Sequence, residues 1–552
     1  MEKSLAPGAT YIEIHRNTAD SQPLAVFILK LDRSAKNVSF RAMKGQDHVI
    51  GTETPRTMGE SLGDKNGEVL ATINADFFDM DKPYAGLPCG MIVRDGELLC
   101  SPTDWPVLGF GTDGQPRAAV VKLVGSVNAG DQTFPVSEVN RPQGGDNVLA
   151  VFTSGFGTST LNSKRGTDVV IQDIVPNLPL KPGIQYSGRV AEVKKGVADD
   201  KIPANAVLLY GAGSGASFLE KNTAVGSTIS FSLGLGAEWN QVTQALGGWP
   251  VIIRGGQPQT IAPDDISAPR HPRSAVGWNE RYLYVVAVDG RDALESAGMT
   301  MSELTGFMQE LGCTEALNLD GGGSTTLAIR GNMVNHGSDG LDRSVSSGWA
   351  VMNAAPSGVV KSLHVWPENI SILEGSHAQF RVMGADADGS PVQLNPADVK
   401  WSLRGVDTSL SSTDPDNDDG PSSSLKTKNK LGSVNASGMF VAAPVFRPGE
   451  ITAKVGDVSA AAVVNVWDKP AALFIVPTNN VHKPGQSVRY SVLATDRAGR
   501  PRVLDASAVT WKADGAKITS DGKLSVPASG KFKVTAIVAR VHTEVESEVR
   551  DR

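Results

Sequence analysis

Apolar residues recur along this chain mostly in short runs bounded by glycine, asparagine or aspartate. YIEIHR, LAVFILKLD, EVLATINADFF, NAVLLYGAG, WPVIIRGG, YLYVVAVDG, EALNLDGGG and TTLAIRG are of this kind. Their length and β-branched content predict strands. The clearest helical period lies in MTMSELTGFMQELG. There Thr300 and Glu303 make a capping box, Leu304, Phe307, Met308 and Leu311 share one face, and Gly312 ends the segment. A strand, this helix and another strand follow in order. That order predicts a β-rich α+β or α/β domain with helix packed on sheet.

The C-terminal third repeats itself. Gly375, Gly389, Pro391 and Trp401 recur as Gly485, Gly499, Pro501 and Trp511, a register of about 110 residues. SVNASGMFVAAP and KITSDGKLSVPAS are also related and read as hairpins closing each unit. Short strands at such spacing predict two all-β sandwiches, which resemble bacterial immunoglobulin-like modules. With a small-residue linker near residues 353–362, the domain plan is one large domain at 1–357, a first module at 358–467 and a second at 468–552. The first module carries a polar insertion, SLSSTDPDNDDGPSSSLKTKNK. Asp414, Asp416 and Asp418 there suggest a calcium loop. An EF-hand needs glycine and glutamate where this chain has Asp419 and Leu425.

Composition sharpens this picture. At roughly 150 residues per domain, 552 residues allow about three to four domains. The 59 glycines exceed the usual share of roughly 7% and fit a turn-rich β protein. A formal charge of -7 argues against a nucleic-acid surface spread over the whole chain. No apolar run reaches the ~18 residues of a membrane span. The opening MEKSLAPGATYIEI has no signal-peptide core, so the chain is either cytosolic or lacks a signal that was removed. The module resemblance and the low cysteine count favour the second, an extracellular or wall-associated protein. Cys89 and Cys100 flank a hairpin turning at Asp95-Gly96. They either face each other across strands or remain two free thiols.

Three predicted strands end in polar residues. ATINADFF closes on Asn74 and Asp76, YVVAVDGR on Asp289 and Arg291, and ALNLDGGGST on Asn318 and Asp320. Strand alternation places Asn74 with Asp76 and Asn318 with Asp320, leaving Leu317 and Leu319 to the packed side. A carboxylate on an apolar strand must be paired or functional. Gly321, Gly322 and Gly323 before Ser324 and Thr325 would form either an anion-binding nest or a tight turn. Arg273 and Arg343 precede strands. Either is a fork for phosphate or a structural ion pair. His271 is an acid–base candidate or simply exposed. No Gly-x-Ser-x-Gly elbow and no His-Glu-x-x-His is present.

In order along the chain stand NADFF, a downstream GLPCG, GGWP, PRSAVG, VDGR, the capped helix, NLDGGGSTT and RSVSS. Together they resemble the phosphodiester glycosidase family, that of N-acetylglucosamine-1-phosphodiester α-N-acetylglucosaminidase, over roughly residues 70–355. Two motifs depart from the family pattern. Asp76 stands where the family often has glycine, and Ser274 where it has threonine.

The resemblance implies hydrolysis of a sugar-1-phosphodiester or a related glycosidic linkage. Asp320 would be base or nucleophile and Asp289 the second carboxylate, with holding Arg291 or a turn as its alternative role. Arg273 and Arg343 would clamp phosphate. Asn74, Asp76, Ser324 and Thr325 would bind sugar or phosphate oxygens, and Gly321, Gly322 and Gly323 would supply backbone donors. Gly248, Asn318, Arg291 and His271 complete the substrate-binding set. No cofactor is implied, and no ligand spacing supports a divalent cation. The expected partner is a carbohydrate or sugar phosphate, with cell-wall polymer as a partner of the modules. The alternatives are an ordinary glycoside as substrate, or a non-catalytic glycan-binding surface protein.

Overall fold

The computed structural model describes residues 1–63, 67–142, 145–340, 342–354, 359–387, 391–405, 431–443, 447–467, 469–477, 481–495 and 501–550. The chain forms two compact units, Met1–Ala355 and Pro356–Arg552. Both are built chiefly of strands. Among the described residues the α-helices are Pro55–Leu62, Ser214–Asn222 and Met301–Glu310. None is long and apolar enough to cross a membrane.

Seven elements of the first unit position the candidate site. They are β1 (Pro23–Asp32), β2 (Glu68–Asn74), β3 (Arg273–Trp278), β4 (Tyr282–Val288), α1 (Met301–Glu310), β5 (Glu315–Asn318) and β6 (Ser347–Asn353). An eight-stranded sheet runs Glu2–Ala6, Ala9–Asn17, β1, β4, β3, β5, Val251–Arg254, Gln257–Pro258. Every neighbouring pair in it is antiparallel. Register sets Arg273 opposite Val288 and Ala275 opposite Asn318. The start of β3 and the ends of β4 and β5 therefore meet at one edge of the sheet.

Side-chain alternation gives this sheet two apolar faces. Val26, Ile28, Ala275, Val286 and Ala316 share a core with Met301, Leu304, Phe307 and Met308 of α1. α1 starts at a complete Thr300/Glu303 capping box, and Gly312 follows it at φ +78. Gly277 lets the helix lie close, since a Cβ there would stand 2.5 Å from Met308 Cε. The other face, with Phe27, Leu29, Val276, Val285 and Leu317, packs on Ala71 and Ile73 of β2 and Trp349 and Val351 of β6. β2 and β6 belong to a five-stranded sheet ordered Asn332–Met333, Leu327–Ile329, β2, β6, Val38–Lys44. Asn74 pairs with Gly348, so the end of β2 and the start of β6 also coincide.

Between β2 and β3 the chain makes a long excursion. It builds a second eight-stranded sheet and a five-stranded sheet, which share a separate core around Val93, Val151, Val169 and Phe231. In the hairpin of that excursion Ile92, not Cys89, stands opposite Cys100. Cys89, Cys100 and Cys313 are all free thiols.

The second unit repeats one strand plan twice. Each copy has sheets of three, four and three strands in the same order. Ser362–Trp366 and Arg381–Ala385 correspond to Ala472–Val476 and Ser491–Thr495. The expected hairpins are Gly432–Val434 with Met439–Ala442, and Lys517–Ile518 with Lys523–Ser525. Separate cores form around Phe380 and Phe440 and around Tyr490 and Phe532. Asp414, Asp416 and Asp418 lie outside the described residues.

Candidate active site

Asp76 follows the end of β2 and is 1% exposed. Its Oδ2 accepts from Gly90 N at 2.7 Å, and its own N–H donates to Ser347 Oγ at 3.3 Å. Oδ1 is buried with no partner among the described residues. Two glycines make this cradle. A Cβ at Gly247 would collide with the carboxylate, and one at Gly90 would stand 3.0 Å from Oδ2. Desolvation pushes the Asp76 carboxyl up to about 7. The Gly90 N–H and Arg141 pull against that shift, and the negative charge of Asp320 adds to it.

Asp320 arrives from β5. Its backbone N–H donates to Ala75 O at 2.8 Å, so the two strand ends are stitched together one residue from each carboxylate. Asp320 is partly exposed. Desolvation raises its carboxyl to about 6 against the Ser324 hydroxyl, the Arg343 charge and the Gly321 N–H. Two carboxyls thus sit in one electrostatic field with their titrations moved toward neutrality. Paired environments of this kind separate an acid from a base.

Each of the three glycines after Asp320 answers a close approach. A Cβ at Gly321 would stand 2.7 Å from Pro272 O and one at Gly322 2.9 Å from Arg291 Nη2, while one at Gly323 would overlap Arg343 and Asp339. Gly322 also has φ +59. The N–H groups of Gly322, Ser324 and Thr325 donate to Pro272, Gly321 and Gly322 carbonyls. The loop is therefore a tight turn that packs beside two arginines, rather than an open nest of donors. Arg343 pairs with Asp339 through Nε at 2.8 Å and extends Nη1 to 3.5 Å from Ser324 Oγ. Arg291, at φ +64, rests its guanidinium 3.4 Å from His271 Nδ1. Desolvation, then Arg273 and Arg291, hold the His271 ring below its ordinary pKa, against its contact with Asp265 O.

Several expected site residues turn inward instead. Arg273 is 2% exposed. It donates through Nε to Met299 O at 2.8 Å and through Nη2 to Ile266 O at 2.7 Å and Pro269 O at 3.0 Å. It fastens a loop from a buried position, rather than standing exposed as the phosphate fork expected from the sequence. Asp289 accepts from Asn335 Nδ2 at 3.1 Å and from His336 N at 3.0 Å on both oxygens, with His336 Nδ1 at 3.2 Å. It locks the 335–336 turn, while the carboxyl raised by the charge of Asp320 is that of Asp76.

Asn74 is also buried. It donates to Asp320 O at 2.6 Å and accepts from Ser274 Oγ at 2.7 Å and Thr326 N at 3.1 Å. It aligns β2, β3 and the loop rather than meeting a ligand. Asn318 Nδ2 donates to Trp249 O at 2.6 Å. Gly248 serves close packing, since a Cβ there would stand 2.8 Å from Asn318 O. Ser324 and Thr325 are each 1% exposed.

Two cations near Asp76 escape sequence reading. Arg141 donates Nη1 to Pro88 O at 2.8 Å and Nη2 to Gly90 O at 2.5 Å, fixing the turn whose N–H holds Asp76. Lys44 is buried and donates to Gly51 O at 2.6 Å and Ser346 O at 2.8 Å. Desolvation lowers its ammonium to about 7, while Asp76 opposes that shift. Neither lies in a motif, and both act through backbone carbonyls that no residue pattern announces. Among the described residues no group of three or more His, Cys, Asp or Glu is arranged to hold a metal ion.

Residues 184–352 match the sequence model of the phosphodiester glycosidase family. The prophage-derived uncharacterized protein YomE of Bacillus subtilis (strain 168) is 35% identical over 105 residues, 18% of this chain and 16% of that protein. This chain thus aligns with about a sixth of the length of that curated relative. A hypothetical protein from Synechocystis superposes with a TM-score of 0.51 at 20% identity, over 63% of this chain and 62% of that one, which is a likeness of fold. The zebrafish N-acetylglucosamine-1-phosphodiester α-N-acetylglucosaminidase catalytic domain, auto-inhibited by its pro-peptide, gives 0.34 at 14% identity, over 64% of this chain and 84% of that one. The matched stretch contains Asp320, the glycine turn, Arg291 and Arg343, while Asp76 lies ahead of it. The first unit therefore carries, over residues 184–352, a phosphodiester glycosidase family domain.

Proposed function

We propose that the first unit hydrolyses a sugar-1-phosphodiester, with Asp76 and Asp320 as the working pair. The carrying observation is that the strand ends bearing them are joined, Asp320 N–H donating to Ala75 O at 2.8 Å, while desolvation pushes Asp76 up to about 7 and Asp320 up to about 6. At neutral pH Asp320 is mainly ionised and Asp76 is about half protonated. Asp320 then serves as base or nucleophile, and Asp76 as the acid toward the leaving oxygen. A phosphodiester leaving group needs little protonation. Arg343, facing Asp320, and Arg291, against Gly322, would stabilise charge developing on phosphate.

The second unit, with its repeated strand plan, would act as a pair of immunoglobulin-like modules holding the enzyme to a glycan or wall polymer outside a bacterial cell. Asp76 in place of the family's glycine favours one other reading, a pocket retuned to an ordinary glycoside. The test is turnover of sugar-1-phosphodiesters and aryl glycosides by the full chain and by Asp320→Asn. Phosphodiester turnover lost in the variant supports the proposal. Turnover of aryl glycosides alone moves the substrate class, and turnover retained in the variant rejects the site.

A further inference from the structure

Three aromatic rings flank the Asp76 cradle and take no part in the chemistry above. Phe77 follows Asp76 directly. Trp249 lies two residues after Gly247, whose Cα faces the Asp76 carboxylate. Trp105 is tied in by hydrogen bonds, because its backbone N–H donates to Thr103 Oγ1 at 3.2 Å and that hydroxyl donates to Cys89 O at 2.8 Å. Cys89 precedes Gly90, the donor to Asp76. The rings touch in series, Phe77 to Trp105 at 5.4 Å and 62°, and Trp105 to Trp249 at 5.8 Å and 43°.

All three are partly exposed. Partial exposure of rings that meet at 62° and 43° leaves part of each ring's surface open to a ligand. The indole N–H groups of Trp105 and Trp249 have no protein acceptor among the described residues and are not sealed inside the fold. Angled apolar ring surfaces edged with free donors, close in the chain to the carboxylate cradle, suit a pyranose ring. Such a ring has one C–H face and a rim of hydroxyls.

We infer that Phe77, Trp105 and Trp249 form a sugar-stacking platform that holds the pyranose ring beside the Asp76–Asp320 pair. The inference deepens the proposed glycosidase reading and rests on the placement of that pair. Neighbouring polar groups supply orientation, and the rings supply affinity.

The test uses the full chain labelled with 5-fluorotryptophan. Trp105→Phe and Trp249→Phe identify two of its nine tryptophan signals. The probes are methyl N-acetyl-α-glucosaminyl phosphate and p-nitrophenyl N-acetyl-α-glucosaminide, added to Asp320→Asn so that neither is consumed. The Trp105 and Trp249 signals should shift saturably while the others stay still. In the otherwise native chain, Trp105→Ala should raise KM about 10-fold with kcat nearly unchanged, and Trp105→Phe should restore most of it. Turnover that Asp320→Asn abolishes, with both signals unmoved, overturns the platform and leaves the hydrolase. Saturable shifts with no turnover by the native chain keep the platform and overturn the hydrolase. Silence in both overturns both.

Discussion

Asp289 and Asp320 follow the ends of β4 and β5, which flank β3 in one sheet, with the same signature, an apolar run closing on Asp-Gly. The sheet edge treats them differently. Asp289 receives Asn335 Nδ2 and the His336 N–H across both oxygens, with the His336 ring beside them. Asp320 has the Ser324 hydroxyl and Gly321 N–H, faces Arg343, and by its charge raises the Asp76 carboxyl, whose Oδ1 has no partner among the described residues. A carboxylate ringed by fixed donors is an acceptor that organises backbone. Desolvation raises both carboxyls, Asp289 against its fixed His336 and Asn335 donors and Asp320 to about 6 against Ser324, Arg343 and Gly321.

The largest expected effect separates these two acids by activity. Asp320→Asn should lower kcat/KM by ~10³-fold, whereas Asp289→Asn should leave chemistry per folded molecule close to native. Equal losses in steady-state assays would break the contrast. Next comes stability. Asp289→Ala leaves the Asn335 and His336 donors unpaired in a buried place and should cost about 2–3 kcal/mol in urea unfolding.

A smaller effect concerns pH. The folded Asp76 carboxyl, near 7, holds a proton that the unfolded chain, near 3.8, has released. Its contribution to stability is therefore fully present below pH 3.8 and is lost as pH rises through about 7. Asp76→Asn should remove that decline and gain ~4 kcal/mol relative to the native chain at pH 8, the difference shrinking toward pH 4. A constant offset across pH would show that Asp76 titrates like an exposed carboxylate.

The sequence makes the scaffold legible because its signals are local. Short apolar runs closing on Asp-Gly mark β4 and β5, the Thr300/Glu303 box marks the start of α1, and the two glycine-tryptophan registers expose the repeated strand plan. The three polar strand ends were also readable, and they do converge at one edge. Individual fates were not readable, since they depend on partners far along the chain. Arg273 and Arg343 look alike before their strands. Only the loop at 266–269 and Met299 O turn the first inward, and only Asp339 and Ser324 hold the second beside the turn. Asp76 looked like a sugar contact. Gly90 and Gly247, from opposite ends of the excursion, make it a buried acid.

The most direct test of the central claim is a carboxyl titration by NMR of the full chain labelled with carboxyl-13C aspartate, with Asp76→Asn and Asp320→Asn for assignment. Two carboxyls should titrate near 7 and near 6. The Asp76 signal should move to lower pH once Asp320 is neutral, because Asp320's charge is one of the causes that raise it. Both signals titrating at the ordinary carboxylate value of about 4, each indifferent to loss of the other, would contradict the coupled pair and the site built on it.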